Sequence, residues 1–219
     1  AERAGSECFA HPITQCMSTL TTPPTPTANG KMNADIARPV FRPRSFTIMK
    51  KFAMHGTKSV MNAQVFRRTL AYAADFDALI VHHTEDANLV GDGVMNECEY
   101  ASRLGLLGIP KEAETVMLAR DVRLVALTEA RYHAASITCE ESIKVLRRAK
   151  EEGLSVTASA TINHLALNEN DVGSYRTFLK LSPPLRAEED RQALATAIKE
   201  GVIDVVGSDH NPQDLEVKR

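Results

Sequence analysis

The chain has 219 residues, 43% of them apolar and 25% charged, an ordinary balance for one globular domain or slightly more. A net charge of -2 gives no global attraction to nucleic acid or an anionic membrane, and no run nears the roughly 18 apolar residues that cross a bilayer. Cys8, Cys16, Cys98 and Cys139 lack zinc-knuckle spacing and no leader-like segment opens the chain, so the expectation is a soluble protein of the reducing cytoplasm acting on a small molecule or a protein partner.

Residues 1–56 hold six of the ten prolines, including Thr21-Thr22-Pro23-Pro24-Thr25-Pro26-Thr27, and a local charge of +4. Neither strand nor helix periodicity persists there. Proline removes backbone donors, and few apolar positions line up to offset the entropy of ordering, so this stretch is read as irregular or disordered. From about Thr57 the pattern changes. Val65, Phe66, Leu70, Ala73 and Phe76 form a helical stripe, and Ala78 to His83 is a short apolar run suited to a buried parallel strand.

A strand is predicted over Tyr132 to Ser136. Thr138-Cys139-Glu140-Glu141 then has the pattern of a capping box, opening a helix that turns Ile143, Leu146 and Ala149 inward and stops at Gly153. Leu154 to Thr161 is predicted as a strand, Ala187 to Glu200 as a helix ending at Gly201, and Ile203 to Val206 as a strand with Asp209 beyond its carboxyl end. Repeated strand-then-helix order argues for parallel βα units. A (β/α)8 barrel takes about 250 residues, so residues 57–219 are expected to form a partial barrel of four or five strands.

Three segments carry a family resemblance: Leu79-Ile80-Val81-His82-His83-Thr84-Glu85-Asp86, Thr161-Ile162-Asn163-His164-Leu165, and Phe178 to Arg186 followed by Gly207-Ser208-Asp209-His210-Asn211-Pro212-Gln213. Together they resemble the dihydroorotases, cyclic amidohydrolases of pyrimidine biosynthesis, over roughly residues 57–219. The resemblance implies a (β/α)8 barrel of the metal-dependent hydrolase type. Such enzymes hold one or two divalent metals, usually zinc, which lower the pKa of a bound water and polarise the amide carbonyl, while an aspartate moves the proton.

Position by position, the resemblance makes His83 of the H-x-E-D motif a metal ligand, and Asp209 a metal ligand and the general base. Ser136 stands where the family carries another histidine ligand, and a neutral hydroxyl is a poor substitute for imidazole. Ser182 replaces the substrate-contacting asparagine of K-x-N-P-P-L-R, and Gln213 replaces a substrate-contacting histidine. Asn163 replaces one histidine of P-H-H-L, while His164 keeps the other. The family's H-x-H pair is absent from the sequence, and Ala53-Met54-His55-Gly56-Thr57 stands where a bridging carboxylate is expected. His133 is read as structural.

Two ligands fall short of the three or four that zinc requires. The expectation is therefore a dihydroorotase-like protein that binds zinc weakly and does not catalyse, a structural partner of aspartate carbamoyltransferase within an oligomer. An active zinc-dependent dihydroorotase is the alternative. For residues 1–56 two readings stand: a basic binding arm, or out-of-frame translation of an altered gene, which would make the chain a non-functional product.

Overall fold

The computed structural model describes residues 52–54, 59–211, 213, 214, 216 and 218. Six elements come first: β1 (Phe52–Met54), α1 (Ala63–Ala74), β2 (Leu79–His83), α2 (Ala87–Val90), β3 (Met95–Asn96) and α3 (Glu99–Leu104). Then follow β4 (Gly108–Ile109), α4 (Glu112–Thr128), β5 (Arg131–Ala135), α5 (Glu140–Glu151), β6 (Val156–Thr161), α6 (Ile162–Ala166), α7 (Glu188–Lys199) and β7 (Val205–Gly207). Short 3-10 turns at Glu169–Val172 and Thr177–Leu179 interrupt the connection from α6 to α7. β1 lies inside the leading segment read as irregular, so regular structure begins a few residues before Thr57. The rest of that segment lies outside the described residues.

Five strands form one parallel sheet in the order β1-β2-β5-β6-β7, and β3 and β4 pair separately. Each new strand adds to the same edge, with no reversal of order. A doubly wound sheet reverses its strand order and carries helices on both faces. Here Phe66 and Leu70 of α1, Leu118 of α4, Ile143 and Leu146 of α5 and Leu194 of α7 share one core with Ile80, Tyr132, Ala134, Val156, Ala158 and Ala160 of the strands. Helices on one face of a singly wound parallel sheet are the architecture of a (β/α)8 barrel wall, and the expectation of four or five strands within residues 57–219 is met by β2, β5, β6 and β7, with β1 added just ahead of them.

Strand alternation separates the two faces. Ile80 and His82 are buried under the helices while Leu79, Val81 and His83 are only half-buried on the inner face. β6 repeats this, with Val156, Ala158 and Ala160 buried and Thr157 and Ser159 half-buried. Full burial of each large aliphatic or aromatic side chain contributes about 1.5–3 kcal/mol, so the helix-facing layer carries most of the stabilisation.

Most helix boundaries follow their local signals. Asn62 caps α1 by accepting from the Gln64 and Val65 amides at 2.9 and 3.0 Å. α5 and α7 stop before Gly153 and Gly201, whose φ of +76° and +73° is open to glycine at no steric cost. The α1 stripe holds for Phe66, Leu70 and Ala73 but not for Val65 and Phe76, which are exposed.

The capping box predicted at Thr138 does not form. Cys139 is the N-cap residue of α5 and makes no side-chain capping bond. The buried Glu114 carboxylate of α4 instead accepts from the amides of Thr138 and Cys139 and from the Thr138 hydroxyl, while Asp190 of α7 accepts from the Glu140 amide at 3.0 Å. An ionised carboxylate is a stronger partner for a helix N-terminus than a hydroxyl, so two neighbouring helices supply the cap.

Candidate active site at the carboxyl edge of the sheet

The pairing register sets the strand ends level. His83 pairs with Ala135, Ala134 with Ala158, and Thr161 with Gly207. His83, Ser136, the α6 turn with Asn163 and His164, and Asp209 therefore all lie on the carboxyl edge, where barrels of this kind place their chemistry. Ser136 and Asp209 have φ of +56° and +49°, a left-handed backbone that turns each residue sharply out of its strand.

His83 extends from β2 on the inner face. Its Nε2 donates to Glu85 Oε2 at 2.9 Å, and the same oxygen accepts from the Ser182 hydroxyl at 3.0 Å, across 97 residues of sequence. Burial pushes the Glu85 carboxyl up, but the His83 hydrogen bond and charge, then Ser182 and Arg186, outweigh it and leave the pKa below the ordinary carboxylate value. The backbone is held as well: Ser59 donates its hydroxyl to the His83 carbonyl at 2.7 Å and accepts from the Glu85 amide at 3.2 Å.

Two other histidines are structural. His82 points the opposite way, with Nδ1 donating to Asp121 at 2.7 Å and Nε2 accepting from the Val60 amide at 3.0 Å. Arg120 and Tyr132 complete the shell of Asp121. His133, read as structural from the sequence, faces inward and bonds Thr157 through Nδ1 at 2.8 Å.

His164 is buried. Its Nδ1 accepts from the Thr161 hydroxyl at 2.6 Å, and its Nε2 reaches the carbonyls of Pro183 and Pro184 at 3.1 and 3.2 Å. It fastens the loop that carries Ser182, which contains a cis Ser182-Pro183 peptide. Burial lowers its pKa despite opposing contributions that include the Asp209 carboxylate, so Asp209 is electrostatically close to His164. Gln213 is exposed and bonds Asn211 at 2.9 Å.

Arg186, the last residue of the motif containing Ser182, is not a surface substrate contact. It is buried and donates to Asn96 Oδ1 at 2.7 Å, the Ile109 carbonyl at 2.8 Å and the Thr138 hydroxyl at 3.2 Å. Glu169 accepts from Asn96, and Glu114 from Thr138. The guanidinium thus joins β3, β4 and the start of α5. Sequence reasoning gave Glu85, Glu114 and Arg186 no such roles; only the i, i+2 spacing of His83 and Glu85, which puts both on one face of an extended segment, was a usable signal.

A structural zinc or a catalytic zinc needs three or four donors within about 2.0–2.3 Å. His83 and Asp209 belong to strands separated by three inter-strand steps of about 4.8 Å, and Ser136 between them offers a hydroxyl. Among the described residues, no three His, Cys, Asp or Glu side chains are grouped to hold a metal ion. This donor set does not fit zinc.

Solved structures share the wall. The L-hydantoinase (dihydropyrimidinase) of Arthrobacter aurescens superposes with a TM-score of 0.64 at 19% identity, over 77% of this chain and 38% of that one. The D-hydantoinase (dihydropyrimidinase) of Thermus sp. gives 0.61 at 25% identity, over 71% and 35%. The fold is thus that of the amidohydrolase barrels, here present as five consecutive strands and the helices on their outer face.

Within that class the sequence is more specific. Residues 47–142 match the family model described as dihydro-orotase-like. Proteins named dihydroorotase from Anaeromyxobacter dehalogenans and Caldanaerobacter subterraneus subsp. tengcongensis are 45% and 43% identical over 163 and 160 residues. The chain belongs to the dihydroorotase-like family. The alignments take in 74% and 73% of this chain but 38% and 37% of those relatives, so the chain spans little more than a third of their length. Among the described residues no helix is long and apolar enough to cross a membrane.

Proposed function

We propose that this chain is a dihydroorotase-like member of pyrimidine biosynthesis that does not itself hydrolyse dihydroorotate, and that it acts as a structural partner of aspartate carbamoyltransferase. The observation that carries the reading is Ser136. It occupies the strand-end position between His83 and Asp209, where the family resemblance expects an imidazole, and its amide is spent on Ser159 Oγ at 3.2 Å. With a hydroxyl there, the described edge lacks the donor set that activates water at neutral pH.

The test is zinc content per chain by elemental mass spectrometry, together with a dihydroorotate ring-opening assay with and without chelator. Substoichiometric zinc and turnover at background are expected, with co-sedimentation of the chain and aspartate carbamoyltransferase. Stoichiometric zinc with chelator-sensitive turnover would overturn the reading. It would favour the second one, an active zinc-dependent dihydroorotase, which the 40–45% identity to proteins of that name supports.

A further inference from the structure

We propose that Glu85 is the centre of a metal-independent clasp, His83–Glu85–Ser182, that straps the loop of residues 174–182 across the carboxyl edge of the sheet. The inference concerns the chain's own contacts and does not rest on the reading of catalytic inactivity above.

The two ends of this long connection are secured separately. On the amino-terminal side Tyr100 donates its hydroxyl to the Gly173 carbonyl at 2.6 Å. On the carboxyl-terminal side His164 holds Pro183 and Pro184, and buried Arg186 holds the exit into α7. Between them the backbone bonds are local: Arg176 to Val172, Leu179 to Arg176 and Lys180 to Thr177. Among the described residues, Ser182 donates to Glu85 and the Phe178 carbonyl accepts from Lys218 Nζ, and these two bonds tie the stretch to other parts of the chain.

Glu85 is suited to bear that tie. Its side chain is only 13% exposed, its amide is fixed by Ser59, and His83 steers Oε2 from the inner face of β2 toward the loop. The acceptor is thus rigid before the loop reaches it, so the hydroxyl loses little in finding it. A histidine that ligates metal also commonly gives its second N–H to a carboxylate, and the experiment must separate the two arrangements.

Limited trypsinolysis of the full chain, followed by mass spectrometry, reads the loop through cleavage after Arg176 and Lys180. A hydrogen bond to an ionised group is worth enough to shift a local opening equilibrium by about tenfold or more. Ser182→Ala should therefore raise the cleavage rate at Lys180 about tenfold, and Ser182→Thr, which keeps the hydroxyl, should restore protection. Glu85→Gln combined with Ser182→Ala should be no more susceptible than Ser182→Ala alone, because both remove one link.

Ser182 lies on a surface loop, so Ser182→Ala should leave the thermal transition followed by circular dichroism unchanged. That keeps the result interpretable even if Glu85 variants fold poorly. Protection of the unaltered chain should be the same with and without EDTA. Unchanged cleavage in Ser182→Ala would overturn the clasp. So would cleavage induced by EDTA, which would assign the order of the loop to a bound ion.

Discussion

Replacing Arg186 with leucine should destabilise the fold measurably, although the residue lies in a motif associated with substrate. The residue is 3% exposed, and its guanidinium donates to Asn96 Oδ1 and the Ile109 carbonyl, both on buried residues, and to Thr138 Oγ1. Thr138 keeps Glu114 as a partner and the Ile109 carbonyl keeps the Glu97 amide at 3.1 Å, so Asn96 Oδ1 is the acceptor left unpaired, at about 1–3 kcal/mol. Leucine burial returns part of this, since removing a buried charge also removes its desolvation cost. The net loss is about 1–2 kcal/mol, an appreciable share of the ~5–15 kcal/mol of a typical domain.

Urea unfolding followed by circular dichroism measures this loss. With a slope near 2 kcal/mol per M, the midpoint should fall by about 0.5–1 M. Arg186→Leu and Asn96→Ala should combine to less than the sum of their separate effects, since they share a bond. A midpoint shift under about 0.2 M would refute the reasoning.

Burial is the largest influence on His133 and His164, and holds both below the ordinary value of 6.5. The unfolded chain then binds more protons just under pH 6.5, so stability should be full above that value and decline as pH falls toward the folded pKa values; His164→Gln should flatten the decline if this origin is right. Cys139 is buried, and burial, reinforced by Glu114, pushes its thiol far above the thiol range. Iodoacetamide at pH 8 should modify it only after denaturation, and rapid labelling of the native chain would count against the packing described. Asn62→Ala should cost about 0.5–2 kcal/mol through loss of the α1 cap, read as a thermal shift.

Much of the βα order was legible because it rests on local signals. Apolar runs marked β2, β5 and β6, glycines ended α5 and α7, and the motif residues around His83 and Asp209 pointed to one family. The 17-residue α4 was not legible. Its inward stripe includes the buried acids Glu114 and Asp121, while Val116 and Leu127 face outward, so charge and hydropathy contradict the helical period.

The sequence by itself determined the parallel βα pattern, the carboxyl-edge placement of His83, Ser136 and Asp209, and the substitution of a hydroxyl for an imidazole. The first two follow from residue type and short-range periodicity, and the third is what the family resemblance implies. Only the tertiary structure decided that Glu114 and Asp190 cap α5, that Arg186 is a buried junction, and that Glu85 holds His83 and Ser182 together. Apart from the His83–Glu85 bond, between residues two positions apart, those bonds join residues from 24 to 97 positions apart. The physical reason is that an ionised side chain is buried only where partners from other elements offset its desolvation, and chain folding alone brings those partners within reach.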